Sequence, residues 1–530
     1  MDYLQLLLTL LFDTSMSWAR MLVALFFSVL IGLGVGIWAG RSSKAARIIS
    51  PIVDVLQTLP ILAFFPFVIL VIVTAFPNAI GVNIAVVFLI ITSMLWNIIF
   101  GVYESIRAMP NEYVEISRVY GLGRWGRLSR VYIPAAMPKV VEQSILSWSI
   151  GLFYLVTSEI FSVGNSTPYH VNYGIGVEIT NLALGGNTAA YVLGIIVFIA
   201  FVIATRFLLF MPLEKRYGLH TEQKHKHRRI TEAFSHLRIR DRLHRINDRV
   251  HHTSITVQHL HVPGYYRKLH PKHPHQHTFA NKRLAYLIAA CVVAVIAGAL
   301  YLGGIFTYGL LQNEVMVLEA LLATLARVWL AYLVILVIAV PVCVYLIFMS
   351  KHSNWYLLVF QILASIPATI LLPIIAVSLS KYPYHGELVA LVVFFLSGIW
   401  YLIFSIIAHR TSIQNEVFEV KKLFGVKGMR AWKSIYLRGI LPGIITGSVT
   451  GIAAEWNASI VAEYFTSAGV SAGNVITQVH TGIGTFLDNQ LSMNHLGLIA
   501  LGLINLTVMI ILINRFVWRK AYTKTSEVYK

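Results

Sequence analysis

Charge is scarce in this sequence. Of 530 residues only 12% are Asp, Glu, Lys or Arg, while 57% are hydrophobic. A soluble domain carries roughly 25% charged residues. A soluble chain could not bury so much apolar surface, so lipid must be the solvent for much of it. Cysteine is scarcer still. Cys291 and Cys343 both sit in apolar runs, which excludes a disulfide framework and metal-ligand spacing and leaves two small buried hydrophobes. No Gly-Lys dipeptide occurs anywhere, so no P-loop for nucleotide phosphates can form. No basic residue precedes the apolar run that begins at Leu4, so the start does not read as a cleaved signal. Asp13 interrupts that run, and residues 3–12 read as a short interfacial or packed helix.

Apolar stretches long enough to cross ~30 Å of hydrocarbon recur along the chain. They lie near 21–40, 52–76, 80–101, 139–162, 188–211, 284–306, 320–349, 355–379, 387–408, 440–465 and 494–517. This predicts an all-α, polytopic membrane protein of about 11 spans. Arg41, Lys44, Arg47, Arg118, Arg124, Arg127, Arg130, Lys351, Lys421, Lys422, Lys427, Arg430, Arg519 and Lys520 all follow alternate spans. The positive-inside rule makes those loops cytoplasmic, with the N-terminus external and the C-terminus cytoplasmic. The opposite loops, near 77–80, 163–187, 307–318 and 466–493, contain no Lys or Arg; Lys381 alone breaks the pattern.

The chain also repeats itself at a shift of 304 to 308 residues. Ser17-Trp18-Ala19-Arg20 falls on Thr324-Leu325-Ala326-Arg327, Leu59-Pro60 on Ile366-Pro367, Pro66 on Pro373, and Glu115 and Gly121 on Glu419 and Gly425. Pro138 falls on Pro442, Glu159 on Glu463, Gly174-Ile175-Gly176 on Gly482-Ile483-Gly484, and Gly194 on Gly502. Ordered matches of Arg, Pro, Glu and Gly are not what chance gives in apolar sequence. Both basic loops face one side, so the halves are parallel. Five spans leave the chain on the wrong side to begin again, and the unmatched span at 284–306 returns it. The units are thus 1–214, with a basic loop at 110–135; a linker at 215–283; the extra span and outer loop at 284–318; and 319–530, with the matching loop at 414–442. Parallel repeats suit a central transport pathway.

The first basic loop reads Glu112-Tyr113-Val114-Glu115-Ile116-Ser117-Arg118-Val119-Tyr120-Gly121-Leu122-Gly123, then Val131-Tyr132-Ile133-Pro134 and Pro138. Acidic residues favour the start of a helix after Pro110-Asn111, and Gly121 and Gly123 can end it in a left-handed turn. The pattern resembles the EAA loop of ABC importer permeases at Glu115, Gly121, Val131, Ile133 and Pro134. The second loop matches at Glu419, Gly425, Ile435 and Leu437, with Arg438 in the proline's place and Pro442 retained, so its entry into the next span is open to differ. The resemblance implies a MetI-like fold and a coupling helix docked on a separate ATPase, through Glu115, Arg118, Gly121 and Gly123 in one half and Glu419, Lys422 and Gly425 in the other. It further implies two ATPase copies that bind ATP and magnesium, an external solute-binding protein, a cell-membrane location, and no cofactor or catalysis in this chain. Arg20, the glycines at 32, 34 and 36 and the Leu56-Gln57-Thr58-Leu59-Pro60 segment resemble the nitrate/sulfonate/taurine branch, whose substrates are mostly small anions such as nitrate, sulfonates or bicarbonate, with some heterocyclic compounds.

Ionisable groups within spans are costly and draw attention. Arg20 and Glu159, and Arg327 and Glu463, are placed to form ion pairs that gate the outer mouth, or else to snorkel separately to headgroups. Gln57, Asn97, Gln143, Ser147, Glu455 and Asn457 are candidates for solute contact or, alternatively, for helix–helix hydrogen bonds. Glu455 and Asn457 face Gly151 and Phe153 in the repeat, so the pathway is unequal. Its acidic groups count against an anionic solute unless paired or protonated. The linker holds 16 Lys or Arg, 4 Asp or Glu and 13 of the 19 histidines. It reads as a membrane-apposed segment. It offers no nucleic-acid reading motif; His270, His273, His275 and His277 are candidates to bind a transition metal, although their spacing fits no closed site. An ion-gradient transporter using Glu159, Glu455 and Glu463 is the competing function.

Overall fold

The computed structural model describes residues 3–58, 75–161, 171–217, 310–348, 353–408, 428–467, 474–493 and 495–518, with isolated positions between. Among them, eight helices are long and apolar enough to cross a membrane. The reason is general: in lipid each backbone polar group must be satisfied within its own segment. Most of the stretch at 59–74, the linker beyond Tyr217 with its histidines, and the 284–306 segment with Cys291 lie outside the described residues.

The repeat is visible element by element. The first half runs α1 (Tyr3–Arg41), α2 (Ser43–Thr58), α3 (Ala79–Ala108), α4 (Asn111–Val119), α5 (Arg124–Arg127), α6 (Ile133–Phe161), α7 (Ile175–Leu184), α8 (Thr188–Thr205) and α9 (Met211–Arg216). The second runs α10 (Leu310–Phe348), α11 (Ser353–Ala364), α12 (Ala368–Leu379), α13 (His385–Ala408), α14 (Gly428–Ala431), α15 (Leu437–Glu463), α16 (Ile483–Ser492) and α17 (Leu496–Ile513). Helices α1 and α10 are both 39 residues long, α7 and α16 both 10, and α8 and α17 both 18. Five-residue π turns recur at matched places: Leu128–Tyr132 with Trp432–Tyr436, and Arg206–Phe210 with Asn514–Trp518. The entry into α15 therefore keeps the form of the entry into α6, although Arg438 replaces Pro134.

Three sequence expectations change. Residues 3–12 are the first turns of α1 rather than a separate helix; Asp13 lies inside the helix and is buried against the bundle. The 355–379 stretch is not one continuous helix: it breaks at Ile366-Pro367 into α11 and α12, because proline supplies no N–H and disfavours helical backbone before it. Beside the helices stands one antiparallel hairpin, β1 (Tyr464–Ser467) with β2 (Asn474–Gln478), pairing Tyr464 with Gln478 and Ser467 with Asn474.

Close helix approach uses glycine in both halves, on different helices. In the first, a Cβ at Gly36 would stand 2.6 Å from Val102, and Gly32 and Gly40 likewise receive Ile98 and Ile106. In the second, Gly443, Gly447 and Gly451 on α15 admit Ile406, Leu402 and Gly398 of α13. Small residues four apart let membrane helices pack backbone to backbone where lipid supplies no hydrophobic drive. The halves meet where α12 packs on α6 and α7.

Candidate functional site

At the basic end, α4 projects a short helix past the span. Its acidic start and basic finish, Glu112 and Arg118, suit the helix dipole. It ends in a Schellman turn: the Leu122 N–H donates to Ser117 O at 3.0 Å and Gly121 N–H to Arg118 O at 2.9 Å. Gly121 takes φ +68°, and Gly425 in the repeat takes φ +60°. Gly123 does not share this role, since its φ of −63° is open to any residue. Ser117 is buried, whereas Glu115, Arg118 and Gly121 are exposed. So are Tyr113, Ile116 and Val119 on this nine-residue polar helix, and Tyr120 just past its end. Glu419 and Lys422 lie outside the described residues.

At the opposite end, each half closes a charge lock. Arg20, 7% exposed, sets Nη1 at 2.8 Å from Oε1 of the fully buried Glu159. Its Nε donates to Asn83 Oδ1 at 2.8 Å and Nη2 to the Tyr173 carbonyl at 2.7 Å. Glu159 also accepts from Ser17 Oγ at 2.6 Å and the Gly176 N–H at 2.9 Å, while Ser17 Oγ accepts from the Ile175 N–H. A Cβ on Gly174 would strike the Glu159 carboxylate, which explains the Gly-Ile-Gly motif. The repeat reproduces the set. Arg327 Nη1 lies 2.9 Å from Glu463 Oε1, Thr324 Oγ1 donates to Glu463 at 2.7 Å, and Gly484 N–H donates at 2.8 Å. The locks differ in charge at one contact: where Arg20 meets neutral Asn83, Arg327 meets Glu387 through both Nε and Nη2. Burial at these depths rules out headgroup snorkelling for Arg20.

Most of the membrane-embedded polar candidates turn out to pack helices within one half. Asn97 Nδ2 donates to Ser147 Oγ at 3.3 Å, and Ser147 donates to the Met94 carbonyl. Gln143 covers Gly101. Glu455 lies fully buried against Gly398, with Ile335 alongside and no hydrogen-bond partner for either oxygen. In the repeat, Met94 covers Gly151 at this position, so knob and hole have exchanged helices. The side chain of Gln57 lies outside the described residues. Among the five described candidates, Asn457 reaches across the halves. Its Oδ1 accepts from Tyr154 Oη at 2.6 Å and from the Ile61 N–H at 2.8 Å, just after Pro60. Tyr191 Oη makes a second crossing bond, to the Ile370 carbonyl at 2.8 Å, in the turn after Pro367. Sequence reading missed Tyr154, Tyr191, Asn83 and Glu387; the proline breaks, which free backbone groups for partners, were the one available signal.

Two like membrane-spanning halves, locked at one end and bearing a glycine-turned helix at the other, define a membrane transport subunit. The chain belongs to the family of binding-protein-dependent transport system inner membrane components, which matches residues 32–215 and again 346–517. It is thus a permease component of an ABC-type importer. Similar proteins include the glycine betaine/proline betaine transport system permease protein ProW of Escherichia coli, 32% identical over 34% of this chain and 48% of that one. The nitrate import permease protein NrtB of Leptolyngbya laminosa is 25% identical over 33% of this chain and 58% of its own. The bicarbonate transport system permease protein CmpB of Synechococcus elongatus is 24% identical over 29% and 53%. The matched part spans about half the length of these relatives. They do not single out the nitrate/sulfonate/taurine branch. No group of three or more metal-ligating side chains occurs among the described residues.

Proposed function

We propose that the two halves form one translocation pathway along their seam, driven by a separate ATPase pair and fed by an external solute-binding protein. The basic end is cytoplasmic and the charge locks brace the outer mouth. The observation that carries this reading is α4: a helix with Tyr113, Ile116, Val119 and Tyr120 exposed beyond the membrane span has an apolar face awaiting a groove. Glu115, Arg118, Glu419 and Lys422 flank the contact, and Gly121 and Gly425 set its angle. The linker and C-terminus lie on the same side, and the 284–306 segment restores the direction of the second half.

The solute is small, and its class follows from what the seam offers. Among the described residues, the Lys and Arg well inside the long helices are Arg20, Lys139 and Arg327, each held by a carboxylate. Hydroxyl and amide groups, Tyr154 and Asn457, are what crosses between the halves. Neutral groups suit a solute without net charge, and the betaine relatives transport solutes of that kind. A small anion such as nitrate, a sulfonate or bicarbonate is the second reading, favoured by the nitrate and bicarbonate relatives. Uptake into proteoliposomes containing chain, ATPase and binding protein tests both points. ATP-dependent uptake of betaine rather than nitrate supports the first reading. Gradient-driven uptake by the chain alone would instead favour the ion-coupled alternative.

A further inference from the structure

The end that carries the charge locks holds one feature the locks do not use. Asp13, 5% exposed, has a buried Oδ1 with no hydrogen-bond partner. It stands one turn before Ser17 and two before Arg20 on the same face of α1. Two contacts show what faces it. Ser17 bonds the backbone of Ile175 at the start of α7, and Leu10 and Ile179 both lie against Gly194. Helices α1 and α7 thus run antiparallel here, and between these anchors Asp13 falls opposite Glu178, close enough for their charges to interact. Glu178 is only half-buried, so the pair is reached from solvent.

Among the described residues, Arg20 is the cation whose charge reaches Asp13. Each of its three nitrogens already donates elsewhere, to Glu159, Asn83 and the Tyr173 carbonyl. The segment 163–187 contains no Lys or Arg. One guanidinium, already paired with Glu159, is therefore the cation set against Asp13 as well. The repeat shows that the fold does not need Asp13 and Glu178, because Ala320 and Phe486 stand in the matching places, both buried, with Phe486 packed on Gly502.

We propose that Asp13 and Glu178 bind a hard divalent cation of the calcium class, which clamps α1 to α7 in the first half alone. Two carboxylates supply the charge and adaptable oxygen ligands, and water completes the shell. Such a site, with few charged ligands at a surface, belongs in the ~0.1–1 mM range of extracellular calcium modules.

The test uses the purified full-length chain in nanodiscs and does not depend on transport, so its failure leaves the importer reading intact. Terbium is added as a luminescent probe, sensitised by Tyr173 and Trp18, and is then displaced with calcium; melting temperature is measured with and without calcium. The expected result is saturable terbium luminescence, reversed by millimolar calcium, and a calcium-dependent rise in melting temperature. Asp13→Asn and Glu178→Gln should each weaken binding at least tenfold. A double variant copying the other half, Asp13→Ala with Glu178→Phe, should fold and bind nothing. Absence of saturable binding in the unaltered chain, or binding unchanged in both single variants, would overturn the site. A melting temperature that responds to pH but not to calcium would overturn it too, by assigning the carboxylates a shared proton.

Discussion

Arg20 and Glu159 illustrate how much one residue pair can disclose and where that stops. Their matching places in the repeat pointed to pairing, and the structure brings them to 2.8 Å. The backbone donors could not be read from spacing: Glu159 accepts from the Gly176 N–H as well as from Arg20. An exchanged pair, Arg20→Glu with Glu159→Arg, therefore presents an arginine to an N–H donor, and it should not restore stability. Either Arg20→Ala or Glu159→Ala should cost about 3–5 kcal/mol, the usual consequence of stranding a buried charge, seen as a lower melting temperature. Recovery by the exchange would show that charge complementarity alone holds the lock. Glu455 is the opposite case. Its intramembrane carboxylate looked like a solute contact, yet it packs into Gly398 with no partner. Glu455→Met, which copies the Met94 that fills Gly151, should raise the melting temperature, because a buried polar group without a partner is destabilising. A fall would mean the carboxylate has a binding role that the packing hides.

At the scale of elements, turn chemistry was legible and helix continuity was not. Gly121 announced a left-handed turn, and φ +68° places it there. Gly123 seemed equivalent, but its backbone is extended. Gly121→Ala should therefore reduce ATPase co-purification, since an L-residue in that conformation costs roughly 1–2 kcal/mol, whereas Gly123→Ala should not. Equal loss in both would break the argument. Continuity failed because neighbours decide it. Asp13 reads as a break only without the charged cluster on its face of α1, and Pro367 splits an apolar run that hydropathy cannot divide. Helix α7 gives a pH expectation. Burial holds the Glu178 carboxyl above its ordinary value of 4.5. The folded state then binds more protons than the unfolded state above pH 4.5, so stability should fall as pH rises through the folded pKa. Glu178→Gln should flatten that slope in a thermal melt, measured without calcium.

For the molecule as a whole, duplication was the strongest signal, because it recurs in residues, π turns and helix lengths alike. The departures from symmetry were weaker in sequence and are mechanical in structure: Asn83 against Glu387, Met94 and Gly151 against Gly398 and Glu455, and Asn457 crossing to Tyr154. Such differences depend on which helices touch, which a linear pattern does not state. They imply that the halves are not interchangeable. The most direct measurement of the central claim is ATP-driven uptake by the complex with the face of α4 altered. With Ile116→Glu and Val119→Glu, both exposed in the chain alone, the account predicts a folded protein of unchanged melting temperature that no longer retains the ATPase or transports. Full ATP-driven uptake by that variant would contradict it.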